Sequence, residues 1–297
     1  MWRATLAAAN VTPIAYLDLP AKKREKTAPL PESAADALDK RFSEYRRLTH
    51  EGGVGEELWL IEPGDVGWPR DAMGDLGVEA PERVVGWGNR ALLKTSLAGV
   101  VGSREAPPEA LQIAEILSRS LVELEFGIVS GGARGIDEVA HRTALHSGGS
   151  TVFVLPEGLL TSPQFESRAD LDPDRVCLVS SVWPFRRWST PEALARNRVI
   201  AALAKALIVV AAENRSGSLM TGMTALALER PTLAVVHEEV TVHSAGNRVL
   251  IQRGATALRV SEGHAPNELR SALGLAAAPK PKTGDLFDTA REGDENV

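Results

Sequence analysis

From about residue 84 the chain alternates between short, mostly apolar runs and longer stretches in which apolar residues return every three or four positions. The short runs predict strands at Val84–Val85, Ala98–Val101, Gly127–Val129, Thr151–Leu155, Arg175–Val179, Ala206–Ala211, Pro231–Val236 and Ala257–Val260. The longer ones predict helices over Pro108–Glu125, Asp137–His146, Pro191–Ala204, Leu219–Leu228 and Ala245–Gln252. In the first helix Leu111, Ala114, Leu117, Leu121 and Leu124 share one face; Pro107-Pro108 opens it and Gly127 closes it. Strands without polar alternation need cover on both faces of their sheet. Strand–helix alternation with short links therefore predicts an α/β fold, a doubly wound, mostly parallel sheet with ligands at the carboxyl ends of its strands.

The pattern is weaker at both ends. Residues 1–65 read as a small, partly helical N-terminal extension. They carry a helix over Ala34–Leu48 (Leu38, Phe42, Tyr45 and Leu48 at helical spacing), a strand at Leu58–Ile61, and a solvated loop at Lys22–Lys26 among prolines. Residues 66–275 form the main domain. Residues 276–297 are Ala/Pro/Lys-rich and then acidic, with five acids and one Arg from Gly284 on. Such a segment cannot bury enough surface to fold alone and is expected to be disordered. Its Asp285-Leu286-Phe287 has the form of a docking peptide, two apolar anchors among acids that steer towards a basic partner.

Three strand-to-helix links are rich in glycine and serine: Gly102-Ser103-Arg104, Ser130-Gly131-Gly132-Ala133-Arg134-Gly135, and Ser216-Gly217-Ser218-Leu219-Met220-Thr221. Glycine permits positive φ and close approach of a ligand to the backbone, and the helix that follows presents free N–H groups to an anion. A dinucleotide fingerprint would want Gly at 130, 132 and 135, but position 130 is Ser. A glycine turn that merely lets a strand feed a helix is the alternative.

Charge narrows the partner. The net charge of −6 gives no overall attraction to nucleic acid, so binding needs a local patch. Residues 180–215 hold six Lys/Arg against two Glu, a local charge of +4. Arg104 and Arg134 sit inside glycine turns, Arg196 and Arg198 flank Asn197, and Arg215 precedes the third turn. Trp183, Phe185 and Trp188 interleave with Arg186 and Arg187, a composition suited to base stacking, to a partner surface, or simply to capping the core. Arg196 or Arg198 could instead pair with Glu192 or Asp137 as scaffold. The single Cys177 excludes an internal disulfide and reads as a buried strand thiol; the six His show no metal spacing. No apolar run reaches membrane-spanning length and no signal-peptide pattern opens the sequence, so the expected location is the cytoplasm, away from membrane.

Several motifs in order resemble one family. Trp87-Gly88-Asn89, Val101-Gly102-Ser103-Arg104, the 130–137 turn followed by Ala140-His141, Gly148-Gly149-Ser150-Thr151, Ala195-Arg196-Asn197-Arg198-Val199-Ile200-Ala201, Ser216–Thr221 and Gly254-Ala255 are similar to the Rossmann-like domain of the bacterial DNA-processing protein A (DprA, or Smf) family. The resemblance spans roughly 66–260. It implies a single-stranded DNA-binding recombination mediator, not an enzyme and without a cofactor, that acts in natural transformation, forms a homodimer and loads the RecA recombinase. The phosphate-binding residues it implies are Gly102, Ser103, Arg104, Ser130, Gly131, Gly132, Arg134, Gly135, Arg196, Asn197, Arg198, Ser216, Gly217, Ser218 and Thr221. Leu250, Ile251 and Leu258 are the expected dimer contacts.

The chain departs from that family at Ser150, where a Lys is usual, at Val182, where an acid is usual, and at Pro156-Glu157-Gly158. The winged-helix domain that follows in many members is not expected here. A second reading is a nucleotide-binding sensor of the same superfamily, with Glu157 about 20 residues past Gly135 as a ribose-binding carboxylate. A phosphoribohydrolase is the weaker variant of that reading, because its Pro-Gly-Gly signature is absent.

Overall fold

The computed structural model describes residues 21–27, 29, 58–65, 67–238, 241–260 and 265–275. The strands are β1 (Leu58–Ile61), β2 (Val84–Gly88), β3 (Leu97–Gly102), β4 (Gly127–Ser130), β5 (Thr151–Leu155), β6 (Val176–Ser180), β7 (Ala206–Ala211), β8 (Thr232–Val235) and β9 (Thr256–Leu258). The helices are α1 (Ala21–Thr27), α2 (Arg70–Gly74), α3 (Pro108–Glu123), α4 (Ile136–His146), α5 (Pro163–Glu166), α6 (Thr190–Leu203), α7 (Gly217–Ala227), α8 (Ala245–Gln252) and α9 (Ala265–Ala272).

All nine strands join one sheet in the order β1-β2-β6-β5-β4-β3-β7-β8-β9. From β6 to β9 neighbouring strands run parallel, while β2 pairs antiparallel with both β6 and β1. The chain winds outward from β3 to β6, then returns to lay β7 on the other side of β3. The β3–β7 border is thus the point at which the strand order reverses and the following loops part, leaving a crevice. A register shift between Val101 and Gly102 bends β3 there.

Both faces of the sheet are covered, as the unbroken apolar strands require. Ala114, Leu117 and Leu121 of α3, Ala140 and Ala144 of α4 and Leu269 of α9 pack on one face with Val100, Ile128 and Ile208. Val199, Ile200 and Leu203 of α6, Ala225 of α7, Leu250 of α8 and Met73 of α2 pack on the other with Val101, Val129 and Val209. Trp87, Leu155, Phe165 and Leu178 form a smaller cluster towards β1 and α5.

The predicted strands and helices after residue 84 all exist, with ends displaced by at most three residues and Thr151–Leu155, Ala206–Ala211 and Ala245–Gln252 matched at both ends. Four features differ from expectation. Lys22–Lys26 lies in helix α1 and not in a loop. β1, read from sequence as part of the extension, is an edge strand of the main sheet. The short helix α9 carries too few apolar residues to stand out by periodicity, yet its Leu269 is wholly buried. Leu250 and Leu258, expected at a dimer interface, are core residues at 0% and 3% exposure, because α8 and β9 turn their apolar sides into the sheet. The helix expected at Ala34–Leu48 and the tail 276–297 lie outside the described residues. Among the described residues no helix is long and apolar enough to cross a membrane.

Candidate functional site

The loops after β3 and β7 and the start of α6 enclose a cleft of about 590 Å³ at the carboxyl edge of the sheet. Ten of the residues predicted from sequence line it: Gly102, Ser103, Arg104, Arg134, Arg196, Asn197, Ser216, Gly217, Ser218 and Thr221. Arg215 lines it as well. Gly102 is small because Ile136 crosses directly above it: a Cβ there would come within 2.4 Å of Ile136 Cγ1. The β3 and β7 loops are tied together by Ser218 Oγ, which donates to the Gly102 carbonyl at 2.8 Å. Asn197 Nδ2 reaches from α6 to the Gly217 carbonyl at 3.3 Å.

The glycine turn after β4 has a different use from the one its sequence predicts. Ser130 is fully buried and its hydroxyl donates to the Val100 carbonyl at 2.6 Å, so it faces the core. Asp137, in the first turn of α4, folds its carboxylate back and accepts from the N–H groups of Gly131 at 3.2 Å and Ala133 at 3.4 Å. The donors that would cradle a phosphate are therefore already satisfied from within the chain. Gly132 and Gly135 take positive φ (70° and 81°), and the Gly132 carbonyl accepts from Gln164 Nε2 at 2.8 Å. Gly131, Gly132, Gly135 and Ser130 do not line the cleft. The glycines serve sterically, since any Cβ on Gly135 would meet the Ser103 carbonyl at 2.5 Å.

Arg196 explains Gly131. It lies beneath the cleft at 5% exposure, and its Nη1 donates to the carbonyls of Gly131 at 2.5 Å and Val154 at 2.6 Å. A Cβ on residue 131 would fall 2.1 Å from that same nitrogen. Burial pushes the Asp137 carboxyl above its ordinary value, opposed first by the nearby Arg196 charge. Burial likewise lowers Arg196, which Asp137 supports and Arg104 opposes. Arg196 is thus a buried brace that links the ends of β4 and β5, within the electrostatic reach of Asp137. Arg198 lies outside the cleft, its Nε 3.2 Å from Glu79 Oε2. Glu192 pairs with Arg186 at 2.7 Å, so neither arginine of the Arg-Asn-Arg triplet meets it.

The hydroxyls at the third turn are also committed. Ser216 Oγ caps α7 by accepting from Leu219 N–H at 3.1 Å, and Thr221 donates to the Gly217 carbonyl at 2.9 Å. What the cleft presents to solvent is three exposed guanidinium groups, Arg104, Arg134 and Arg215, beside the amino end of α7. None of the three makes an ion pair with a described residue. Arg215 holds a φ of 65°, the left-handed region that a non-glycine residue enters at a cost. Of the acids at the cleft, Asp137 is engaged as above. Glu213 accepts from Ser103 Oγ at 3.4 Å and from His243 Nδ1 at 3.0 Å. Glu105, exposed in the same lining, makes no ion pair with a described residue, so the unengaged charge is three guanidinium groups against one carboxylate.

The remaining candidates fall elsewhere. Ser150 immediately precedes β5, at the amino edge of the sheet and away from the cleft, so the departure there leaves the cleft's cations unchanged. Glu157 lies two residues past the end of β5 and outside the cleft lining, its carboxyl raised by burial, and so does not sit where a ribose in this cleft would need it. His141 is buried, stacked on Phe153 at 3.5 Å, with Nδ1 2.6 Å from Thr151 Oγ1. Burial and then Arg196 push it down to about 3, which keeps it neutral and structural. Trp183 lies under Arg83, whose guanidinium stands 4.7 Å from its ring centre, whereas Trp188 is exposed and lines the cleft. Cys177 is fully buried, as its strand context predicts. No cluster of three metal-binding side chains occurs among the described residues.

A family model described as DNA recombination-mediator protein A matches residues 59–266. A Mycobacterium tuberculosis protein named as a DNA processing protein DprA is 32% identical over 273 residues, covering 88% of this chain and 68% of the relative. DprA of Streptococcus pneumoniae is 36% identical over 179 residues, 60% of this chain and 63% of its own. The S. pneumoniae DprA structure superposes with a TM-score of 0.66 at 28% identity, over 89% of this chain and 95% of that one. DNA processing protein A of Helicobacter pylori, known for its single-stranded DNA binding mode, shares the fold with a TM-score of 0.60 at 23% identity, over 72% and 96%. The arginine-rimmed crevice thus sits in a sheet that matches those proteins over most of its length, and the chain belongs to the DNA recombination-mediator protein A (DprA/Smf) family.

Proposed function

We propose that this protein binds single-stranded DNA in the cleft between the β3 and β7 loops and acts as a recombination mediator, handing the strand to the RecA recombinase. The observation that carries the reading is the set of exposed guanidinium groups, Arg104, Arg134 and Arg215, lining the cleft beside the amino end of α7. Phosphates need such donors, and a strand whose neutralised charges release counterions binds with steep salt dependence. Membership in a recombination-mediator family and the DNA-binding relative from H. pylori support the same reading. RecA transfer, homodimer formation and a cytoplasmic role in natural transformation are proposed on the family resemblance alone. A dimer would use surface other than the buried Leu250 and Leu258.

Fluorescence anisotropy with labelled oligo-dT and a matched duplex, across a salt series, tests the reading. Tighter binding of the single strand, weakening steeply with salt, is expected. Equal affinity for both forms, or no binding at low salt, refutes it.

A nucleotide-sensor reading shares the cleft but has lost its ribose anchor, because Glu157 lies outside the lining. A thermal-shift screen with mononucleotides beside oligo-dT distinguishes the two.

A further inference from the structure

The two walls of the cleft differ in chemistry. One wall, from the β3 and β7 loops and the amino end of α7, carries Arg104 and Arg215 with Glu105, Glu213 and polar backbone. The other, from the segment before α6 and the first turns of α6, carries Trp188, Ala193 and Leu194, with Asn197 and the buried Arg196 farther along the helix. Trp188 is 51% exposed and Leu194 45%. Large apolar side chains left this open on a folded surface are informative chiefly when they gather at a concave site.

The loop bearing Trp188 is held in place from both sides, so its exposure is not the result of a loose segment. The Arg186 carbonyl accepts from Gly158 N–H at 2.7 Å and from Thr161 Oγ1 at 3.0 Å. The Pro184 carbonyl accepts from Leu160 N–H at 3.0 Å. The Arg186 side chain pairs with Glu192 at 2.7 Å, and Ser189 caps α6 by accepting from Glu192 N–H. Residues on either side of Trp188 are thus fixed to α6 and to the loop after β5. A rigid indole loses little conformational freedom when it receives a flat ligand.

We propose that Trp188 is a base-stacking residue, with Leu194 extending the same apolar wall, so that a single strand lies with its phosphates on the arginine wall and its bases on the tryptophan wall. The inference rests on the DNA-binding reading above and adds what distinguishes a base-bearing single strand from a bare polyanion. Stacking is sequence-tolerant because every base has a π-face, and it is denied to a duplex whose bases already stack on one another. Phosphate contacts supply attraction that is blind to the bases; Trp188 supplies the preference for unpaired ones.

The test compares labelled dT20 with a length-matched abasic oligomer, which carries the same phosphates and no bases. Wild-type protein should bind dT20 about tenfold more tightly than the abasic strand. Trp188→Ala should lower dT20 affinity to the abasic level and leave abasic binding unchanged, while Trp188→Phe should retain most of the preference. Because the side chain is half exposed, both variants should melt at the wild-type temperature, which is measured alongside. Equal wild-type affinity for the two oligomers, or an equal loss on both in Trp188→Ala, overturns the stacking role while DNA binding stands. Failure of the wild type to bind either oligomer at low salt overturns the DNA reading and the stacking with it.

Discussion

Arg196 is the residue at which the sequence and the structure assign different work, and its replacement separates the two. In Arg196→Ala the carbonyls of Gly131 and Val154 lose a charged donor that stands at 2.5 and 2.6 Å and is only 5% exposed. Asp137 also loses the positive charge that opposes its desolvation. Removing a charged donor from two buried carbonyls costs roughly 3–5 kcal/mol, more than an isolated neutral hydrogen bond would. For a domain of this size, at about 2–4 °C per kcal/mol, the melting temperature should fall by about 6–20 °C. The pH dependence has a definite sign. Asp137 titrates in the folded protein above its unfolded value, so its protonated form favours folding and its ionisation costs stability as pH rises through the folded value. Without Arg196 that folded value moves higher still. The deficit of Arg196→Ala should therefore be smallest below the ordinary carboxylate range and widen towards neutral pH. Adding Asp137→Asn should recover part of it, since the amide oxygen can still accept from Gly131 and Ala133. Calorimetry of the wild type and the two variants, from below the ordinary carboxylate range up to neutral pH, measures this. A variant that melts like the wild type yet loses DNA affinity would refute the brace and return Arg196 to the ligand contacts.

Other outcomes follow from the same geometry. Arg104→Ala with Arg134→Ala should leave the melting temperature unchanged, because both side chains are exposed and make no ion pair with a described residue, and should weaken oligo-dT binding at low salt. Each lost charge-assisted contact can contribute about 1.5–3 kcal/mol at most, less where the site is wet, and unchanged affinity would reject both residues. Gly102→Ala drives a methyl to within 2.4 Å of Ile136 Cγ1 and should cost about 1–3 kcal/mol, read as a lower urea midpoint. Cys177 is wholly buried and burial pushes its thiol up, so it should react with a thiol reagent only at the rate of unfolding; fast labelling of the native protein would contradict the packing.

The apolar pattern made the sheet legible because it is local: a buried strand must be apolar wherever its neighbours lie. The glycine turns were legible for the same reason, since Gly132 and Gly135 take conformations that a side chain would strain. What lay hidden was the direction in which polar side chains turn. Arg196 bonds to carbonyls 65 and 42 residues away, and no local spacing distinguishes it from its neighbour Arg198, which points outward to Glu79. Ser130 and Ser216 look alike in sequence, yet one serves the core and the other a helix cap. Ser150 sits in a motif close in sequence to the cleft residues but at the opposite edge of the sheet, where strand direction alone puts it. The sequence signal that could have exposed the Asp137 contact is its place two residues after Gly135, where an acid can fold back on its own turn.

That acid has a consequence for what the protein ignores. A cell is full of dinucleotides, and many open sheets of this kind capture them through the N–H groups of a glycine turn. Here the turn already holds a resident acceptor: for a pyrophosphate to settle on Gly131 and Ala133, it would have to displace a carboxyl group tethered by its own backbone. The glycine turn of this chain thus keeps the shape of a dinucleotide turn with its Gly131 and Ala133 donors already taken, and the exposed arginines of the adjoining crevice are what remain for a proposed anionic strand.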